Sequence, residues 1–189
     1  MPSPSSILIP DFNGNQVKSG VLTDANGVNY PLVRFQDEVA IATLTNISGN
    51  YSNGQIIGSQ LSFPNCAANN GWGGAIAGCE ININNTVLAT DTLSLLLFTV
   101  APATTNINAT NLSALTLSDV EGDAYAGSIT LANAIATTSR TLFSASTFNL
   151  KYVCAAASTA LAGILVLNTS GSRALTSSRI NVTLQITKS

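Results

Sequence analysis

The sequence predicts an all-β protein: a single antiparallel β-sandwich of jelly-roll type with an N-terminal arm. Three observations predict it. Apolar and polar residues alternate with period two, most regularly through Ile180-Asn181-Val182-Thr183-Leu184-Gln185-Ile186-Thr187 and Cys79-Glu80-Ile81-Asn82-Ile83-Asn84. Strands with one face in a core and one in water carry this pattern. Turn dipeptides punctuate the chain at Asn13-Gly14, Asn26-Gly27, Asn53-Gly54, Asn70-Gly71 and Ser170-Gly171, a frequency that suits many short strands packed as a sandwich or jelly roll. Helical signals reduce to one turn, in which Ser118-Asp119-Val120-Glu121 fits a capping box and Gly122 limits its length.

Taken in order, the first 27 residues differ in texture from the rest. PSPSSILIP is followed by DFNGNQVKSG, rich in Gly and Asn, and then by a hairpin pattern, LTDANGVNYPLV. Two readings of this segment stand side by side: an arm that packs on a neighbour, and a disordered tail. Strands are expected at 28–35, 39–45, 55–59, 75–84, 93–100, 127–131, 148–154, 161–168 and 180–187, with a polar surface loop at 101–116. A chain of 189 residues can bury one core without needing a second. The expected division is therefore an arm and hairpin start over 1–27 and a sandwich over 28–189.

Composition narrows the function classes. Only 16 of the residues are charged, and 21 Ser, 21 Thr, 20 Asn and 24 Ala stand in their place. Such residues keep a surface wet without charge repulsion, which suits a protein packed beside copies of itself or a partner. The net charge of -2 and the scattered seven Lys and Arg exclude nucleic acid as an expected partner, because neutralising phosphates needs clustered cations. The apolar run 152–167 is shorter than the roughly 20 residues that span a bilayer and is interrupted by AAAST, so no membrane partner is expected. No targeting segment is read at Met1–Ser6, and the seven N-x-S/T triplets follow from the abundance of Asn, Ser and Thr.

No catalytic, metal or cofactor site is expected. Serine and cysteine nucleophiles need a base, and the chain has no histidine. Asp119, Glu121 and Asp123 could converge on calcium, but Gly122 falls one residue early for such a loop, and capping explains two of the three acids. Cys66, Cys79 and Cys154 lack C-x-x-C spacing and read as buried small apolar residues, with a Cys66–Cys79 disulfide as the alternative. Asn69-Asn70-Gly71-Trp72-Gly73-Gly74 lacks the Lys and following helix of a phosphate loop. Trp72, the sole tryptophan, reads either as an interface anchor or as a core or lid residue.

Three segments carry a resemblance. They are Leu95-Leu96-Leu97-Phe98 running into PATT, the turn Asp123-x-Tyr125-x-Gly127-x-Ile129, and AAAST-x-Leu161-x-Gly163 read as a hairpin. Together they resemble the capsid decoration, or cement, proteins of tailed bacteriophages. The resemblance implies a non-enzymatic structural protein, made in the host cytoplasm and bound to the capsid exterior of the virion. It further implies bridging of major capsid protein subunits, often as a homotrimer. The expected partners are the major capsid protein and the chain itself, with Ile7, Leu8, Ile9 and Trp72 as partner-contact residues. Rival readings are a receptor- or glycan-binding module of a tail fibre or baseplate and, with few acids to support it, a carboxylate glycosidase.

Overall fold

A computed structural model describes residues 7–10, 16–19, 21–23, 29–31, 37–102 and 122–188. The chain divides into two units, Met1–Gln36 and Asp37–Ser189. The first contains two antiparallel ladders: β1 (Ile7–Pro10) with β2 (Gln16–Ser19), and β3 (Val21–Thr23) with β4 (Asn29–Pro31). The second ladder is the hairpin expected from the LTDANGVNYPLV pattern.

The second unit is an all-β sandwich. Its strands are β5 (Asp37–Tyr51), β6 (Leu61–Phe63), β7 (Gly73–Ile83), β8 (Thr92–Phe98), β9 (Tyr125–Leu131), β10 (Ile135–Ala136), β11 (Thr141–Val153), β12 (Leu161–Asn168) and β13 (Arg173–Lys188). They form two sheets, β10-β11-β7-β13-β5 and β6-β12-β8-β9. Setting the two-residue β10 aside, the antiparallel pairs are nested: β5 with β13, β6 with β12, β7 with β11 and β8 with β9. One long hairpin has in effect been wrapped on itself, and β7–β13 and β8–β12 pairings close the wrap. This is jelly-roll topology.

Period-two sequence makes the inner faces. Ile180, Val182, Leu184 and Ile186 of β13 are buried between Thr and Gln residues that point out, and Ile76, Cys79, Ile81 and Ile83 do the same from β7. Opposite them lie Leu93, Leu95 and Leu97 of β8 and Leu161, Leu165 and Leu167 of β12. Each such side chain contributes roughly 1.5–3 kcal/mol on burial. β12 is buried on both faces, since Ala162, Ile164 and Val166 form a second cluster with Ile56 and Phe98. Buried polar groups are satisfied: the Thr141 hydroxyl donates to the Asn85 carbonyl at 2.6 Å, and among the described residues no buried side-chain N or O lacks a partner.

Three sequence expectations are corrected. Residues 55–59 do not form a full strand: they make one bridge, Ile56 to Val166, and backbone bonds to β12 before Gly58, at φ 73°, turns the chain away. AAAST is not a hairpin, because β11 and β12 belong to different sheets and 154–160 is a crossover between them. β11 and β13 each begin seven residues earlier than 148 and 180; bulges between Ser146 and Leu150, and between Leu175 and Ile180, break the alternation that would have shown it. Ser118, Asp119 and Glu121 lie outside the described residues; Asp123 is exposed in a short helical turn at 122–123.

Candidate interaction surface

One end of the sandwich carries four of the eight large apolar side chains that stand exposed among the described residues. Two sheet-crossing links, 64–72 and 154–160, lie at this end, and their backbones are bonded to each other. Amides of Cys66 and Ala67 donate to the Thr159 carbonyl, that of Gly71 to Ser158, and that of Cys154 to Trp72. Gly71 has φ 74°, which suits glycine, and a Cβ at Gly73 would collide with the Tyr152 carbonyl oxygen. The run Gly71-Trp72-Gly73-Gly74 therefore serves close backbone approach to β11 and β13.

Trp72 emerges from that link 53% exposed, so it is not a core residue. Val153, beside it at the end of β11, is 63% exposed, while Val100 and Tyr125, where β8 ends and β9 begins, are 54% and 41% exposed. The Tyr125 ring meets the Phe98 ring edge-on, with centroids 5.7 Å apart, and is held in place by that contact. Ile7, Leu8 and Ile9, the other expected contact residues, lie in β1 of the first unit, and their side chains fall outside the description.

Beneath this end sits a buried, reduced thiol group. Cys66 and Cys154 are inaccessible, as is Cys79 deeper in the core, and all three thiols are free, so the Cys66–Cys79 bond is not formed. Burial pushes the Cys66 thiol up to about 11 and the Cys79 thiol up to about 12. Such thiols are protonated and inert at neutral pH. The Tyr152 hydroxyl donates to the Cys66 carbonyl, and its own ionisation is raised by burial.

Of two clefts elsewhere, one of about 300 Å³ includes Glu38, which is paired with Lys188, and the other carries no reactive group. That second cleft, of about 380 Å³ between β9 and the β11 bulge, is lined by Ser128, Ile129, Thr130, Ala145, Phe148, Asn149 and Leu150, none of which titrates near neutrality. Among the described residues no three His, Cys, Asp or Glu side chains converge as metal ligands would.

The sequence readings missed Val100, Tyr125 and Val153. One signal was available: neighbours on a strand point to opposite faces, so Tyr152 and Val153 cannot both face the core. Which of them faces out depends on the bulge three residues earlier.

No family model and no curated protein matches this sequence. Solved structures show a weak likeness. A chain from the structure of infectious bursal disease virus Gx strain shares 12% identity at a TM-score of 0.34, covering 97% of this chain and 42% of that one. A chain from the Gt strain gives 13% and 0.35, with 94% and 40% covered. A maize chlorotic mottle virus chain gives 11% and 0.25, with 77% and 93% covered. This chain thus spans about two fifths of the bursal disease virus chains it matches. Likeness at this level carries no argument; the sandwich rests on the strand pairings above.

Proposed function

We propose that the protein is a structural virion component that binds the exterior of a tailed-phage capsid and bridges neighbouring major capsid protein subunits. The observation that carries the reading is the apolar end of the sandwich, where Trp72, Val100, Tyr125 and Val153 stand in water on a chain with only 16 charged residues. Single exposed apolar residues need no explanation, but four gathered at one end mark a contact surface. Repetition around a shell then turns modest contacts into firm attachment, since a copy touching two subunits binds its second site at high effective concentration. The segment 1–27, with Ile7, Leu8 and Ile9, is a second contact in this reading.

The test is co-sedimentation of the purified protein with cognate expanded capsids. Wild-type protein should saturate them, whereas Trp72→Ala and Val153→Asp should lower occupancy with the fold intact. Absence of binding, or binding indifferent to both substitutions, overturns the reading.

A second reading is favoured by one detail: exposed Trp72 follows exposed Asn69 and Asn70 with Gly71 between, and an aromatic face near amides suits a sugar ring. Glycan-array binding lost in Trp72→Ala, without capsid binding, would select it.

A further inference from the structure

We propose that β5 is the edge through which two copies of this chain join, strand against strand and antiparallel, about a two-fold axis beside Ile41. A sheet edge presents unpaired amides and carbonyls, and proteins that do not use an edge blunt it. Three of the four edges here are blunted. β6 has three residues; β10 covers only Thr141 and Leu142 of β11, and the rest of that edge is broken by the β11 bulge between Ser146 and Leu150; β9 is irregular, with a register shift opposite Leu97 and Phe98 and with Gly127 at φ 143°.

β5 carries none of these devices in its first half. It is 15 residues long, and among the described residues it pairs only with β13. Its register runs unbroken from Asp37 opposite Thr187 to Leu44 opposite Ile180, and irregularity begins only beyond, where Asn46 takes φ 57°. No charged residue and no proline occurs from Val39 to Tyr51. Val39 and Ile41 stand 62% and 55% exposed on the outward row of this straight stretch.

The side chains favour a second β5 as occupant. Centring the antiparallel pairing on Ile41 sets Ile41 against the partner's Ile41 and Val39 against the partner's Thr43, β-branched pairs that stabilise a ladder. On the inward row the pair beside the axis is Ala40 with the partner's Ala42, small enough for the ordinary strand spacing of about 4.8 Å, and Glu38 comes opposite the partner's Leu44 further out. Charge fixes the direction. A parallel pairing would put Glu38 against the partner's Glu38, whereas the antiparallel one separates these carboxylates by about 20 Å, past the screening length of about 10 Å. Glu38 is in any case paired with Lys188 in its own chain. The product is one continuous sheet running through both copies, with Val39 and Ile41 drawn out of water.

This inference goes beyond the capsid reading and does not depend on it. Sedimentation velocity of the full chain across the micromolar range should show a monomer–dimer equilibrium. Ile41→Lys, at an exposed position, should weaken it by about tenfold or more while leaving the circular dichroism spectrum and melting unchanged, since a pair of like charges would meet on the axis. Ile41→Cys should form a disulfide-linked dimer under mild oxidation, because an on-axis pair brings two copies of one residue within bonding reach; Val87→Cys, exposed far from the edge, should not. The cross-link decides the matter alone if the Lys variant fails to fold. A monomer at all concentrations, a dimer indifferent to Ile41→Lys, or equal cross-linking at both cysteines overturns the proposal. So does a trimer without dimer, because a three-fold rotation cannot bring β5 against β5. Loss of capsid occupancy in Ile41→Lys without any self-association would give the edge to a capsid strand instead and overturn it as well.

Discussion

Asp91 and Arg173 meet through two parallel hydrogen bonds, Nε to Oδ2 at 2.6 Å and Nη2 to Oδ1 at 2.8 Å. Asp91 stands immediately before β8 in one sheet and Arg173 opens β13 in the other, so the pair staples the sandwich layers at the end opposite Trp72. Its two halves are unequally placed: the Asp91 side chain is 2% exposed and that of Arg173 is 23% exposed.

That inequality yields a prediction. Removing the arginine leaves a buried carboxylate without a partner, whereas removing the aspartate leaves a guanidinium that turns into solvent. Arg173→Ala should therefore lower the melting temperature more than Asp91→Ala. Equal losses, or the reverse order, would show that the pair is screened as a surface contact is.

The core makes a second prediction. Leu184 faces inward between Ala40 and Cys79, and Leu184→Ala should cost about 2–5 kcal/mol in urea unfolding. Thr183→Ala, one residue away on the outward face, should stay within about 0.5 kcal/mol. Similar losses for both would mean that the register of β13 is not the one described.

Backbone proximity supplies a third. Gly73→Ala should destabilise severely, because the added methyl group meets the Tyr152 carbonyl, a backbone atom that cannot move aside without breaking the β7–β11 ladder. Gly122→Ala, with open space around the new carbon, should be tolerated. A Gly73→Ala protein that melts like wild type would place β11 further from β7.

The fourth concerns pH. The Cys66 and Cys79 thiols ionise in the folded state only at about 11 and about 12, raised by burial, against roughly 8.5 in an unfolded chain. A raised folded value contributes stability that is complete below the unfolded one and is lost as pH climbs toward the folded one. The urea midpoint should hold level up to about pH 8.5 and fall above it, and Cys79→Ala should make that fall shallower. In native protein all three thiols should resist a disulfide reagent at pH 8, reacting only after unfolding. Rapid labelling of the native state would contradict the burial.

Strands were legible wherever both requirements of a strand, alternation and a turn at each end, lay within a few residues. β12 appears at 161–168 as expected, and the alternating half of β13 was plain. Partnership was not legible. Pattern says that β11 and β12 are strands, but the wrap of nested pairs places them in different sheets, and the nearest pairing partner of β13 in sequence is some ninety residues away in β7. Such long-range pairing leaves no local trace. The candidate surface was readable only at Trp72, whose rarity and glycine flanks drew notice; Val100 lies past the end of β8, and the facing of Tyr125 and Val153 follows irregularities at Leu97–Phe98 and Ser146–Leu150 that leave no mark in the pattern.

Trp72 is the sole tryptophan, which makes it a reporter for the surface it occupies. Half-exposed in the free protein, its indole should emit at the long wavelengths of a hydrated ring and be quenched readily by acrylamide. Docking of the apolar end on a capsid would bury the ring, because an anchor at the centre of an interface is desolvated by the residues around it. Emission should then shift to shorter wavelength and quenching should fall, in proportion to occupancy. Binding through any other surface would leave both signals where they began. Unchanged emission from capsids saturated with the protein would therefore remove Trp72 from the contact, even if capsid attachment itself were real.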